Sequence, residues 1–94
     1  MNTTNLAGKK KIGLKLLLTE PYENYRGIFI GNEESNKSDI KDMAFPCLTI
    51  VNMSFKESSF RNINFSYCAF TNCYLRGAKF YNCNFTVHSP RFRE

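Results

Sequence analysis

The segment FKESSFRNINFSYCAF, residues 55–70, places phenylalanine at every fifth position: Phe55, Phe60, Phe65 and Phe70. Extended both ways, the same phase runs Ile40, Phe45, Ile50, Phe55, Phe60, Phe65, Phe70, Leu75, Phe80 and Phe85, all large and apolar, and takes in seven of the nine phenylalanines. A second register lies two residues earlier: Ser38, Met43, Leu48, Met53, Ser58, Ile63, Cys68, Cys73, Ala78 and Cys83, with no charge among them. The three positions between carry nearly all the polar side chains. A period of five smears apolar residues around a helix of about 3.6 residues per turn. In a flat strand it sends successive phenylalanines to opposite faces. The chain therefore reads as neither a helix bundle nor a flat sheet.

Ninety-four residues allow one small domain, and its 43% apolar content suffices for a core only if the rings converge. The formal net charge of +5 is spread thinly. Residues 1–39 hold six Lys/Arg against five Asp/Glu, and residues 40–87 hold five against two, so no nucleic-acid-binding tail stands out. The longest apolar run near the N-terminus, IGLKLLL, is broken by Lys15 and falls far short of a span of about 20 residues. Lys9, Lys10 and Lys11 precede it in the manner of a signal peptide, but no small-residue cleavage site follows.

A large apolar residue every five, a small or apolar one two before it, and Asn or another polar residue between resembles the pentapeptide-repeat family. Ile63-Asn64-Phe65 and Cys83-Asn84-Phe85 are its clearest triplets here. The resemblance covers about residues 38–87 and marks a divergent, short member or a fragment of a longer repeat protein. It implies an all-β fold: a right-handed quadrilateral β-helix, one pentapeptide per side and twenty residues per coil, giving about two and a half coils here.

Twenty-residue stacking at about 4.8 Å is chemically sensible along this chain. It sets Phe45 on Phe65 on Phe85, Phe60 on Phe80, and Phe55 on Leu75. Asn recurs at Asn52, Asn62, Asn72 and Asn82, after Asp42, which suits corners where Asn tolerates left-handed backbone. Stacked pairs such as Asn62 and Asn82 can form amide ladders. Cys68, Cys73 and Cys83 then fall in the inward small register, where a free thiol packs as a small hydrophobe. A metal site from these three and His88 lacks any C-x-x-C spacing and would draw on different sides of the coil. Buried unpaired thiols fit a reducing compartment.

Residues 1–39 are expected to form a capping segment and polar linker, residues 40–87 the repeat, and residues 88–94 a C-terminal tail. Ile12, Leu14, Leu16 and Leu18 alternate, YRGIFI at 25–30 is β-prone, and Pro21 marks a turn between them, which predicts a strand or hairpin cap on the first coil. NEESNKSD, residues 32–39, reads as the linker. The repeat ends near Val87, before Pro90, leaving an apolar cross-section for a partner chain or self-association to cover.

No catalytic set is legible. There is one His, no glycine-rich phosphate loop, no carboxylate pair within the repeat, and no nucleophile beside a base, so the reading is non-enzymatic, without cofactor, metal or small-molecule substrate. The position after each large residue points outward, and stacking sorts these into columns: Lys41, Arg61, Tyr81; Lys56, Arg76; Pro46, Ser66, Thr86; and Val51, Thr71, Arg91. The first two make a basic, aromatic candidate partner-binding surface of Lys41, Lys56, Arg61, Arg76 and Tyr81, suited to an acidic protein, with a phosphoinositide membrane surface or nucleic acid as weaker candidates. The competing reading is solvated charge that keeps a solenoid soluble and discourages edge association. The resemblance implies a scaffold or protein-interaction module, either cytoplasmic or, as part of a bacterial secreted effector, delivered into a host cell. Its alternative is a duplex-DNA mimic that protects or inhibits a topoisomerase, a role for which this chain carries the wrong sign of charge.

Overall fold

The computed structural model describes residues 6–86. Its elements run in chain order β1 (Lys10–Lys11), α1 (Leu14–Thr19), β2 (Ile28–Glu34), β3 (Asp39–Ala44), β4 (Thr49–Ser54), β5 (Ser59–Asn64), β6 (Ala69–Thr71) and β7 (Lys79–Tyr81). The strands form two parallel sheets, β1-β2-β4-β6 and β3-β5-β7. Register in the coils is twenty residues throughout: Ile30 pairs with Ile50 and Ile50 with Phe70, while Ile40 pairs with Phe60 and Phe60 with Phe80. The period of five thus becomes a β-solenoid of four sides, with inward residues 30, 50 and 70 on side one, 35, 55 and 75 on side two, 40, 60 and 80 on side three, and 45, 65 and 85 on side four.

Each corner lies two residues after the inward one and takes left-handed backbone. Asn32, Lys37, Asp42, Cys47, Asn52, Glu57, Asn62, Tyr67, Asn72 and Asn82 all have φ between 54° and 69°, and Gly77 stands at 76°. Asn favours this region because its short amide bonds locally. The amides also stack: Asn52 Nδ2 donates to Asn32 Oδ1 at 3.0 Å and Asn72 Nδ2 to Asn52 Oδ1, while at the opposite corner Asn62 donates to Asp42 at 2.9 Å and Asn82 to Asn62. The expected ladders are present, two of them, on opposite edges of the coil.

Inside, the rings pack in two directions. Vertically, Phe60 stacks on Phe80 at 4.9 Å and Phe65 on Phe85 at 5.1 Å. Across one coil, neighbouring sides meet edge to face, Phe55 with Phe60 at 5.2 Å, Phe60 with Phe65 at 5.7 Å and Phe65 with Phe70 at 5.5 Å. These are the offset and T-shaped geometries that the ring quadrupole favours. Burial is not uniform along the axis. Apart from the half-buried Ser35, inward residues are buried as far as Phe65, whereas Phe70, Leu75 and Phe80 are half-buried and Phe85 is 45% exposed.

The N-terminal end departs from expectation in two ways. Of the expected strand or hairpin cap the strand pair forms, the short β1 lying parallel to β2, but the helix α1 follows where only strand was expected. Leu14 and Leu17 of α1, with Ile12 before it, press into the core, while Leu16 faces out. The alternation of Ile12, Leu14, Leu16 and Leu18 concealed the 14/17 helical pair. A helix suits this position because it satisfies its own backbone bonds while lying across an apolar end, where a hairpin would need partners. The residue before it, Gly13, makes no side-chain cap; instead the Leu14 N–H donates to Glu33 Oε2 at 3.1 Å. Glu33 occupies the register filled above it by Met53 and Cys73, and at the coil's end it reaches the helix start.

The coil also begins earlier than the apolar pattern predicts. Ile30 and Tyr25 continue the inward phase and are fully buried, and NEESNKSD is coil rather than linker. The phase looks broken because Ser35 stands where a large apolar residue belongs. A polar cluster holds it: Ser35 Oγ lies 2.7 Å from Ser38 Oγ, Ser58 Oγ donates to the Ser35 carbonyl at 2.9 Å, and the Ser38 N–H donates to Ser58 Oγ at 3.0 Å. Each group finds a partner inside, so the substitution is tolerated. Val87, His88, Pro90 and Arg91, together with the tail at 88–94, lie outside the described residues.

Candidate functional site

The strand register carries the outward residues with it. Lys41, Arg61 and Tyr81 stand opposite one another on β3, β5 and β7, so this column forms as the sequence predicts. Lys56 and Arg76 form the column on side two, where the Lys56 N–H donates to Asn36 Oδ1 and the Glu57 N–H to the Arg76 carbonyl, each at 2.9 Å. Sides two and three are adjacent, so the five candidate residues share one continuous surface. Sides one and four carry Gly31, Val51 and Thr71, and Pro46, Ser66 and Thr86, after their inward residues, none of them charged.

Three features of this surface escape the columns drawn from the sequence. The position before each inward residue also points outward, which adds Lys79 beside Tyr81 and Tyr74 beside Arg76. The tyrosines serve as platforms for the cations: the Arg61 guanidinium lies 4.8 Å from the Tyr81 ring centre and Lys56 Nζ 5.6 Å from that of Tyr74. Such stacking contributes about 0.5–1 kcal/mol at exposed sites and holds a long side chain in place. Carboxylates intervene as well, with Arg61 Nε 3.5 Å from Asp39 and Lys37 Nζ 4.0 Å from Glu57. Both pairs are exposed, so each contributes well under about 1 kcal/mol and yields readily to another anion. Reading both outward positions, rather than one, would have found Lys79 and Tyr74.

Charge is also graded along the axis. Residues 45–86 hold Lys56, Arg61, Arg76 and Lys79 against the single carboxylate Glu57, whereas Glu33, Glu34, Asp39 and Asp42 lie on the first coil.

The cysteines divide into two kinds. Cys68, Cys73 and Cys83 point inward, and their thiols donate to the carbonyls of Phe45 at 2.9 Å, Ile50 at 3.4 Å and Phe60 at 3.4 Å. Burial pushes the Cys68 thiol up to about 11 and raises that of Cys73. Cys47 instead occupies a corner, where Arg26 Nη2 donates to its Sγ at 3.6 Å. Among the described residues all four thiols are free, and no helix is long and apolar enough to cross a membrane.

Two stacked parallel sheets joined by left-handed corners every five residues define a parallel β-solenoid, a scaffold that displays short outward columns on a continuous core. The family model described as pentapeptide repeats (8 copies) matches residues 54–86, so that segment of the chain is similar to the pentapeptide-repeat family. Comparison with curated proteins and with solved structures finds no match. The family is one of repeat scaffolds, and its fold is typically non-enzymatic.

Proposed function

We propose that the chain is a non-enzymatic interaction module whose second and third sides bind an acidic protein. One observation supports this above others. Lys41, Lys56, Arg61 and Arg76 lie on two adjacent sides, two of them on tyrosine platforms, while among the described residues from Gly31 onward the corresponding positions of the other two sides are uncharged. A scaffold solubilised by charge alone has no need to confine it to half its circumference. Acting inside the bacterial cytoplasm, or as a module of an effector delivered into a host cell, is the finer form of this reading, and it draws on the resemblance to such proteins rather than on the surface. A duplex mimic acting on a topoisomerase would need the opposite charge on these coils.

The test is binding of fluorescent poly-glutamate, phosphoinositide vesicles and duplex DNA, each at low and at high salt. Poly-glutamate should bind, lose affinity as salt rises, and be lost in the double variant Arg61→Glu, Arg76→Glu. Binding that survives the double charge reversal removes this surface from consideration. Preference for vesicles or DNA over poly-glutamate reassigns the partner's chemistry.

A further inference from the structure

We propose that the groove at the corner between sides four and one binds the phosphate group of a small-molecule monoester. It lies across the coil from the basic surface of sides two and three, so it is a second site and does not depend on that reading.

The groove has a volume of about 480 Å³ and is lined by Lys9, Arg26, Cys47, Thr49 and Tyr67. Cys47 and Tyr67 are successive left-handed corners, and the Cys47 N–H donates to the Ser66 carbonyl at 2.9 Å, so the groove runs along the flank of the solenoid from coil to coil. A volume of this order suits a small molecule. Two other corners carry the ladders Asn32–Asn52–Asn72 and Asp42–Asn62–Asn82, whose amides bond to one another. This one carries no such ladder and faces two cations instead.

Those cations are fixed in place and lack counter-charge. Lys9 Nζ donates to the Arg26 carbonyl at 2.6 Å, and Arg26 Nη2 donates to Cys47 Sγ at 3.6 Å. One residue thus gathers both positive charges, which repel each other until an anion joins them. Among the described residues neither forms an ion pair and no carboxylate lines the groove, whereas Lys37 and Arg61 each meet an acid.

The floor points the same way. Thr49 stands on β4 between Phe29 and Ala69, at an outward position, yet is only 5% exposed. Its hydroxyl has no hydrogen-bond partner among the described residues. No sealed side-chain polar atom lacks a partner among them, so this oxygen opens onto the groove it lines. A hydroxyl so deeply set gains from a ligand that meets it.

The donors select the ligand. A planar carboxylate can be satisfied by the Arg26 fork alone, whereas a tetrahedral phosphate offers further oxygens to the Lys9 ammonium and the Thr49 hydroxyl. Tyr67, 48% exposed, supplies an aromatic wall for the carbon part of the ester.

Titration of the isotope-labelled full chain with phenyl phosphate, followed by amide NMR shifts, tests this, with inorganic phosphate as the comparison. Phenyl phosphate should shift Lys9, Arg26, Cys47, Thr49 and Tyr67 saturably and bind about fivefold tighter than inorganic phosphate. Arg26→Gln should weaken it by about tenfold or more, and the similarly shaped Thr49→Val by about fivefold. The Arg61→Glu, Arg76→Glu pair should leave it unchanged. Shifts gathered on Lys56, Arg61 and Arg76 instead, or binding indifferent to Arg26→Gln and Thr49→Val, overturn the proposal. So do inorganic phosphate binding as tightly as the ester and the absence of saturable binding by either. Vesicles carrying phosphatidylinositol monophosphate that sediment with the parent but not with Arg26→Gln assign the ester to a lipid headgroup. Vesicles that leave the parent in solution assign it to a soluble ester.

Discussion

Phe65 and Phe85 occupy the same column one coil apart, which makes them a matched test of how this solenoid is held together. Phe65 is 4% exposed and its ring meets those of Phe45, Phe60, Phe70, Phe80 and Phe85 at centroid distances from 5.1 to 6.2 Å. Truncating it to Ala removes the transfer energy of the ring and leaves a cavity between two coils that cannot close, because the backbone above and below is pinned by inter-coil bonds. The expected cost is about 3–5 kcal/mol. A domain of this size has about 5–14 kcal/mol in all. At about 4–8 °C per kcal/mol, the melting temperature should fall by roughly 12 °C or more, or the protein should fail to fold. Phe85→Ala removes the same atoms from a site already 45% open to solvent, so its cost should stay near about 1 kcal/mol. Lys56→Ala, which loses a cation–π contact at the surface, should cost still less. Circular-dichroism melts of the three variants provide the measurement. Phe65→Ala melting like the parent, or Phe85→Ala as damaging as Phe65→Ala, would refute a core centred on Phe65.

Three further outcomes follow from particular contacts. Glu33→Ala removes the carboxylate that meets the Leu14 N–H, and the urea midpoint should drop by the equivalent of about 1 kcal/mol, with Glu33→Gln losing less. Asn62→Ala places a residue with a larger left-handed penalty at a corner of φ 59° and breaks both rungs of the Asp42–Asn62–Asn82 ladder, so it should cost about 1–3 kcal/mol in the same assay. For the thiols, iodoacetamide followed by peptide mapping should modify the corner Cys47 first and Cys68 last, since a thiol raised to about 11 is on the order of 0.1% thiolate at pH 8. The same shift has a signed effect on stability. Cys68 holds its proton more tightly when folded than when unfolded, so its contribution is complete below pH 9 and is lost as pH climbs from 9 towards 11. Cys68→Ser should flatten that decline.

The repeat could be read from the letters because a solenoid makes every coil solve the same problem. An inward position meets its own kind above and below, so Phe45, Phe65 and Phe85 recur at twenty, the corner amides recur at ten, and the columns Lys41–Arg61–Tyr81 and Lys56–Arg76 come from arithmetic alone. Where the repetition stops, that arithmetic loses its hold. Ser35 breaks the apolar phase yet sits inside the coil, because Ser38 and Ser58 satisfy it from positions three and twenty-three residues away. Leu14 and Leu17 form a helix rather than a strand because the surface they cover is the open end of a coil, a shape that exists only once the coil has formed. Glu33 is one more polar letter in the sequence, and only the fold brings its carboxylate to the start of α1. The surface divides in the same way. The sequence by itself determined which residues face out and which of them stack. The tertiary structure decided which of those charges are already engaged, with Arg61 held by Asp39 and Tyr81 and Lys56 over Tyr74, because partners eighteen to twenty-two residues apart meet only when one coil lies upon another.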